Sequence, residues 1–160
     1  VVITTLIHAD GRVSLGEFVL LTLCRRHLEK PAKGAPPIKH RSLNEVSREA
    51  TTVLALLARA SAEGEAAFAG VMASLQLPVK AGGKLPAFTL PVVETALYEL
   101  KLLAPLKKPA LIKACLEIVM ADGRITVTEG ELMRAICAAL DTPLPPLLHD
   151  ASGWKDGAAA

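Results

Sequence analysis

The sequence predicts an all-α protein of about seven helices, and three observations support that class. Apolar residues recur at helical spacing along most of the chain, and no segment alternates apolar and polar residues as a β-strand does. The chain is 51% hydrophobic but only 3% aromatic. Its core must therefore be built from Leu, Ala and Val, a composition that favours helices over sheets.

The first four predicted helices each carry an apolar stripe or a capping signal. The first covers about residues 1–9, and its stripe consists of Val2, Ile3, Leu6 and Ile7. The second covers about residues 15–30, with a stripe at Phe18, Leu21, Cys24 and Leu28. The third, at about 43–60, and the fourth, at about 62–76, follow Ser42 and Ser61, which are candidate N-caps.

Prolines and apolar spacing predict three more helices towards the C-terminus. Pro91 and Pro109 stand at first-turn positions of helices at about 91–103 and 109–121. The seventh helix, at about 127–140, has a stripe of Leu132, Met133, Ile136 and Leu140. Because 160 residues suit one compact domain, we expect a single domain at residues 1–148, followed by a flexible C-terminal tail at 149–160.

A nearly repeated phrase lies near each end of the chain. Residues 9–20 read ADGRVSLGEFVL, and residues 121–132 read ADGRITVTEGEL. Each copy follows one predicted apolar helix and precedes another. The sequence therefore predicts two helix-turn-helix units that pack around a pseudo-twofold axis.

The repeated phrase also resembles half of a calcium-binding EF-hand loop, which needs side-chain oxygens at loop positions one, three, five and twelve. In the second copy, Asp122 and Glu129 fall on positions five and twelve, but positions one and three hold Ile118 and Met120. The first copy has the same defect at the corresponding positions. Because calcium takes six to eight oxygen ligands, the sequence excludes a full EF-hand.

Helix capping offers a structural explanation of the same phrase. Gly11 and Gly123 can adopt the left-handed conformation that ends a helix, and the preceding aspartates can accept bonds from turn amides. Both copies then continue with a capping box, Ser14 to Glu17 and Thr126 to Glu129. This interpretation is favoured. The alternative is a weak metal site built from Asp10 with Glu17, or Asp122 with Glu129.

Charge is concentrated in one region, which extends from the end of the second predicted helix through the Pro/Gly-rich break to the start of the third and is called the basic linker below. Residues 24–48 contain seven Lys and Arg against two Glu, whereas the whole chain carries a net charge of only +2. Such a segment can contact anionic lipid headgroups, although a solvated linker is the favoured interpretation. It has no interleaved aromatic residues on which bases could stack, so no nucleic-acid partner is expected.

The sequence contains no recognisable catalytic motif. It lacks an HExxH or clustered Cys/His pattern for zinc, a G-x-S-x-G elbow and a phosphate-binding P-loop. The three cysteines form no CxxC pair, so we expect reduced thiols and a location facing the cytosol. No apolar run approaches the length of a membrane span. The chain opens on Val1 with an apolar pattern already running, so we expect a fragment of a longer protein.

The two end phrases resemble those of TerB-like domains, the family named after tellurite-resistance proteins. The fuller stretches ADGRVSLGEFVLLTLCRRHLEKP and ACLEIVMADGRITVTEGELMRAICAALDTPLPPLL resemble the C-terminal cytosolic extension of some HtpX-like bacterial membrane zinc metallopeptidases. The resemblance spans residues 1–148 and is sharpest at the two ends.

That resemblance implies a non-catalytic accessory or regulatory domain on the cytoplasmic side of an inner-membrane zinc metalloendopeptidase. Zinc would belong to the parent's catalytic domain, and this fragment would hold no cofactor. Its partner would be another protein or the parent's own catalytic domain. The alternative is a TerB-like divalent-cation-responsive module of a stress response. In TerB proteins, acidic residues near such turns are associated with metal binding. The residues that correspond to them here are Asp10, Glu17, Asp122 and Glu129.

Overall fold

A computed structural model describes residues 21–22, 24–25, 28, 34–35, 37–78, 85 and 89–146. Within these residues the chain is all-α, as predicted, and contains no β-strand; a single parallel bridge pairs His40 with Leu103. The first predicted helix, the first copy of the repeated phrase and the predicted tail beyond residue 146 lie outside the described residues. The relation between the two repeated units therefore stays a prediction.

Five α-helices form the described part of the domain. They are α1 (Ser47–Ala60), α2 (Gly64–Ser74), α3 (Leu90–Lys101), α4 (Lys108–Val119) and α5 (Val127–Ala139). Short 3-10 helices at Leu43–Val46 and Pro105–Lys107 lead into α1 and α4. These bounds agree with the predicted segments to within two residues, except that α1 begins four residues later than predicted, after the 3-10 helix; the described residues between 21 and 28 are also helical.

Helix α1 is the centre of the core. Every residue from Thr52 to Ala58 is buried, which is the pattern of a helix surrounded by others rather than lying on the surface. It packs against α2, α3 and α4, while α4 and α5 form an antiparallel hairpin. The fully buried side chains, led by Leu54, Leu57, Leu111, Ile118, Leu132 and Ile136, form one continuous apolar cluster.

The corner between α1 and α2 corrects one sequence prediction. Ser61 does not cap α2, because that helix begins only at Gly64 and its N-cap is Glu63. The Ser61 hydroxyl is instead buried, without a hydrogen-bond partner among the described residues. A Cβ atom on Gly64 would lie 2.5 Å from the Ala58 carbonyl oxygen. Only glycine permits this close approach of the two helices.

Prolines open α3 and α4, as predicted. Pro91 and Pro109 each occupy the first turn of their helix, where a missing N–H costs no intrahelical bond. None of the helices in the described ranges is both long and apolar enough to cross a bilayer.

Candidate functional site

The turn between α4 and α5 has the local geometry that its sequence predicts. Gly123 has a φ of +75°, in the left-handed region, and its N–H donates to the Met120 carbonyl at 2.9 Å. The Asp122 Oδ1 atom accepts a bond from the Arg124 N–H at 2.9 Å, which closes the turn. The described copy of the repeated phrase is therefore a tightly bonded corner.

A capping box starts α5 and occupies the second carboxylate of the turn. Glu129 is only 2% exposed, and its Oε2 accepts bonds from the Thr126 N–H at 2.6 Å and from the Thr126 hydroxyl at 2.8 Å. The Thr126 oxygen in turn accepts a bond from the Glu129 N–H at 3.3 Å. Side chain and backbone thus satisfy each other at the beginning of the helix.

The geometry of the turn does not test the metal-ligand prediction. Asp122 and Glu129 both accept hydrogen bonds inside the turn, and the described residues contain no group of three or more His, Cys, Asp or Glu that could hold a metal ion. Asp10 and Glu17 lie outside the described residues. A metal site built from these carboxylates stays a prediction.

The predicted basic linker is partly neutralised by acidic residues of α3. Arg25 forms an ion pair with Glu94 at 2.6 Å, and the Lys39 amino group lies 3.0 Å from Glu99. His40 Nε2 lies 2.7 Å from the same Glu99 carboxylate. The hydrogen bond with His40, and to a smaller extent the bond with Lys39, lowers the pKa of Glu99 below its usual value. These cations therefore hold the linker against α3.

Backbone hydrogen bonds attach the linker at the same place. The Lys39 N–H donates to the Leu102 carbonyl at 2.9 Å, and the Ala104 N–H donates to the His40 carbonyl at 2.8 Å. The segment before α1 is thus joined to the segment after α3 by both backbone and side chains.

A surface groove of about 500 Å³ lies at the opposite end of the α4–α5 hairpin from the turn. Its walls are mostly apolar, and they are formed by Ile112 and Leu116 of α4 with Pro105, Pro109, Pro143 and Pro145. Exposed Lys113 lies at its edge. Concave, largely apolar sites of this volume are typical of places where ligands or peptide side chains bind.

The end of α5 builds one wall of the groove. The Asp141 N–H donates to Ala138 and the Thr142 N–H to Cys137, and Asp141 has a φ of +53°. This pair of bonds is a Schellman motif, with an aspartate at the left-handed position that glycine usually fills. The motif ends α5 and directs residues 142–145 towards α4.

Lys108 ties the two walls of the groove together. It is only 5% exposed, and its amino group donates to the Leu140 carbonyl at 2.7 Å. A cation is favourable beside the last carbonyls of a helix, so Lys108 acts as a side-chain cap for α5. Burial, reinforced by nearby Lys101, lowers the pKa of Lys108.

The buried cysteines offer no reactive thiol in the described core. Cys115 and Cys137 are free and buried. Burial and the neighbouring Cys137 raise the pKa of Cys115, and burial raises the pKa of Cys137 to about 11. Both side chains therefore behave as apolar core residues.

Searches for relatives returned no matching family model, curated protein or solved structure.

Proposed function

We propose that this chain is a non-catalytic accessory domain of a membrane-associated zinc metallopeptidase of the HtpX-like kind. In this proposal it acts by binding a segment of the parent's catalytic domain in the groove between α4 and residues 142–145. The resemblance of the two end phrases motivates the choice of parent. The groove is the observation that supports a binding role.

The groove is supported as a binding site by its rigidity. Its four prolines have fixed φ angles and no free N–H, so the walls present a preformed apolar surface. The bond from Lys108 to Leu140 holds α4 to the end of α5. A site that is already ordered loses little conformational freedom on binding, which favours affinity.

The walls also define the chemistry of the bound segment. Ile112, Leu116 and the proline rings suit aliphatic side chains. The exposed amino group of Lys113 at the edge suits an acidic residue that flanks them. The expected occupant is therefore a short apolar segment with an adjacent acid.

Photo-crosslinking tests this assignment in the full-length parent protein. A photoreactive amino acid placed at position 109 points to the groove, and the matched control is position 91, which is also an exposed first-turn proline but lies outside the groove. We expect an adduct from position 109 that maps to the catalytic domain, and none from position 91. Equal adducts from the two positions, or none from either, would contradict groove binding.

The choice of parent has a separate test. The reading frame upstream of Val1 should encode membrane spans and an HExxH helix. An upstream frame without them would remove the zinc peptidase from the proposal and leave groove binding to be judged by the crosslinks.

The alternative function is a divalent-cation-responsive module that uses Asp10, Glu17, Asp122 and Glu129. In the described turn, Asp122 and Glu129 bond to the backbone of the turn itself. Titration with cations distinguishes this alternative from groove binding.

A further inference from the structure

One large apolar side chain near the groove is held out in solvent. Leu106 is 92% exposed and lies in the 3-10 helix Pro105–Lys107. The preceding Leu103 is anchored in the core at 1% exposed, and the Lys107 N–H donates to the Ala104 carbonyl at 2.9 Å. A fixed turn thus presents Leu106 outward. A single exposed leucine is common, so its surroundings decide what it means.

The sequence around Leu106 is rich in lysine, although Asp141 lines the same groove as Lys113. Between Leu100 and Leu116 the chain has four lysines, at 101, 107, 108 and 113, and no Asp or Glu. Lys107 and Lys113 are exposed, and neither forms an ion pair with a described residue. In the linker at 24–48, by contrast, Arg25 and Lys39 are paired with α3, although Arg41 and Arg48 are exposed as well.

We infer that this basic end, defined as Leu106, Lys107 and Lys113, contacts the surface of an anionic membrane. Leu106 enters the headgroup region, while the two amino groups lie over lipid phosphates. An exposed apolar side chain can enter the headgroup region, and each unpaired lysine near an anionic surface adds to the attraction. Leu106 and Lys107 do not line the groove, whereas Lys113 borders it, so membrane contact and groove binding share only Lys113.

Vesicle flotation of the 160-residue chain tests the inference. The probes are vesicles of phosphatidylcholine alone and vesicles with about one-third phosphatidylglycerol, each at low and high salt. We expect binding to the anionic vesicles only, weakened by salt. Lys107→Gln with Lys113→Gln should lower partitioning about 25-fold, since each lysine contributes roughly fivefold. Leu106→Gln should lower it about fivefold through lost apolar insertion.

Matched controls lie at the other end of the same hairpin, about 18 Å away along the twelve residues of α4. Val127 is 77% exposed and Arg124 is exposed, so Val127→Gln and Arg124→Gln repeat the chemical changes elsewhere. We expect both to bind vesicles like the native chain. Thermal melts should show that all the variants are folded, because every substituted side chain is exposed.

Three results would overturn the inference. The native chain could fail to bind anionic vesicles at low salt, or the control variants could lose as much binding as the basic-end variants. The chain could also bind immobilised polyglutamate through Lys107 and Lys113 without binding vesicles, which would assign this surface to an acidic protein.

Discussion

The two ends of the α4–α5 hairpin differ in where their polar and apolar groups are directed. At the turn, Asp122 accepts a bond from the Arg124 N–H, and Thr126 and Glu129 bond to each other. At the groove end, apolar walls and exposed lysines face outward. A group whose bonds are satisfied internally stabilises the fold, whereas a group left facing solvent remains available to a partner. The repeated sequence phrase thus lies at the end whose polar groups bond internally.

The largest predicted effect concerns the buried carboxylate of the turn. Glu129→Ala leaves the Thr126 N–H and hydroxyl without their acceptor, so the free energy of unfolding should fall by about 2 kcal/mol. Glu117 is exposed on α4, and Glu117→Ala should change the free energy of unfolding by less than about 0.5 kcal/mol. Urea denaturation measures both. Equal stabilities would show that the capping box contributes nothing to the turn.

Replacing two glycines by alanine should change the stability of the protein in opposite directions. Gly123 has a φ of +75°, so Gly123→Ala should destabilise the protein by about 1 kcal/mol because a Cβ is unfavourable in the left-handed region. Gly70 lies within α2 with open space around its Cβ position. Gly70→Ala should therefore stabilise the protein by about 0.5–1 kcal/mol. Thermal melts that move in the same direction for both variants would refute this account of the turn.

The smallest predicted effect is a pH dependence of the free energy of unfolding. It arises at Glu99, whose carboxylate is hydrogen-bonded to His40 and Lys39. His40 and Lys39 lower the pKa of Glu99 in the folded state, so the unfolded chain binds more protons as the pH falls. The resulting stabilisation is fully present above the unfolded value near 4.5 and is lost as the pH falls through the folded pKa.

Denaturation at a series of acidic pH values measures this dependence. Glu99→Gln should reduce the loss of unfolding free energy at acidic pH, which is the acid limb of the stability curve. Glu65→Gln, at an exposed position of α2, should leave that limb unchanged. An acid limb that is the same in native and Glu99→Gln protein would contradict the role of this cluster.

The sequence predicted most of the described fold because its signals are local. Helical periodicity, Pro91, Pro109 and the Thr126–Glu129 box each act within a few residues, and the structure confirms them. The prediction that Ser61 caps α2 was wrong because a serine before an acidic stretch also suits the end of the preceding helix.

The groove could not be predicted, because it needs residues 141–145 to meet α4 in three dimensions. In the sequence, the prolines indicate only helix starts and breaks. One signal was available, since Pro109, Ile112 and Leu116 lie at spacings of three and four residues on one face of α4, and Pro105 precedes Pro109 by four residues. Likewise, Glu94 and Glu99, the partners of the basic linker, come 69 and 60 residues later in the chain, beyond what local patterns reveal.

Isothermal titration of the native chain with calcium, magnesium, manganese and zinc tests most directly whether the repeated turns are structural. We predict only the heat of dilution below millimolar cation concentration, because two carboxylates per turn supply too few ligands. A saturable heat that disappears in the Asp10→Asn, Asp122→Asn double variant would contradict this prediction and favour the cation-responsive module. A heat that persists in that variant would come from elsewhere in the chain and leave the turns as structural corners.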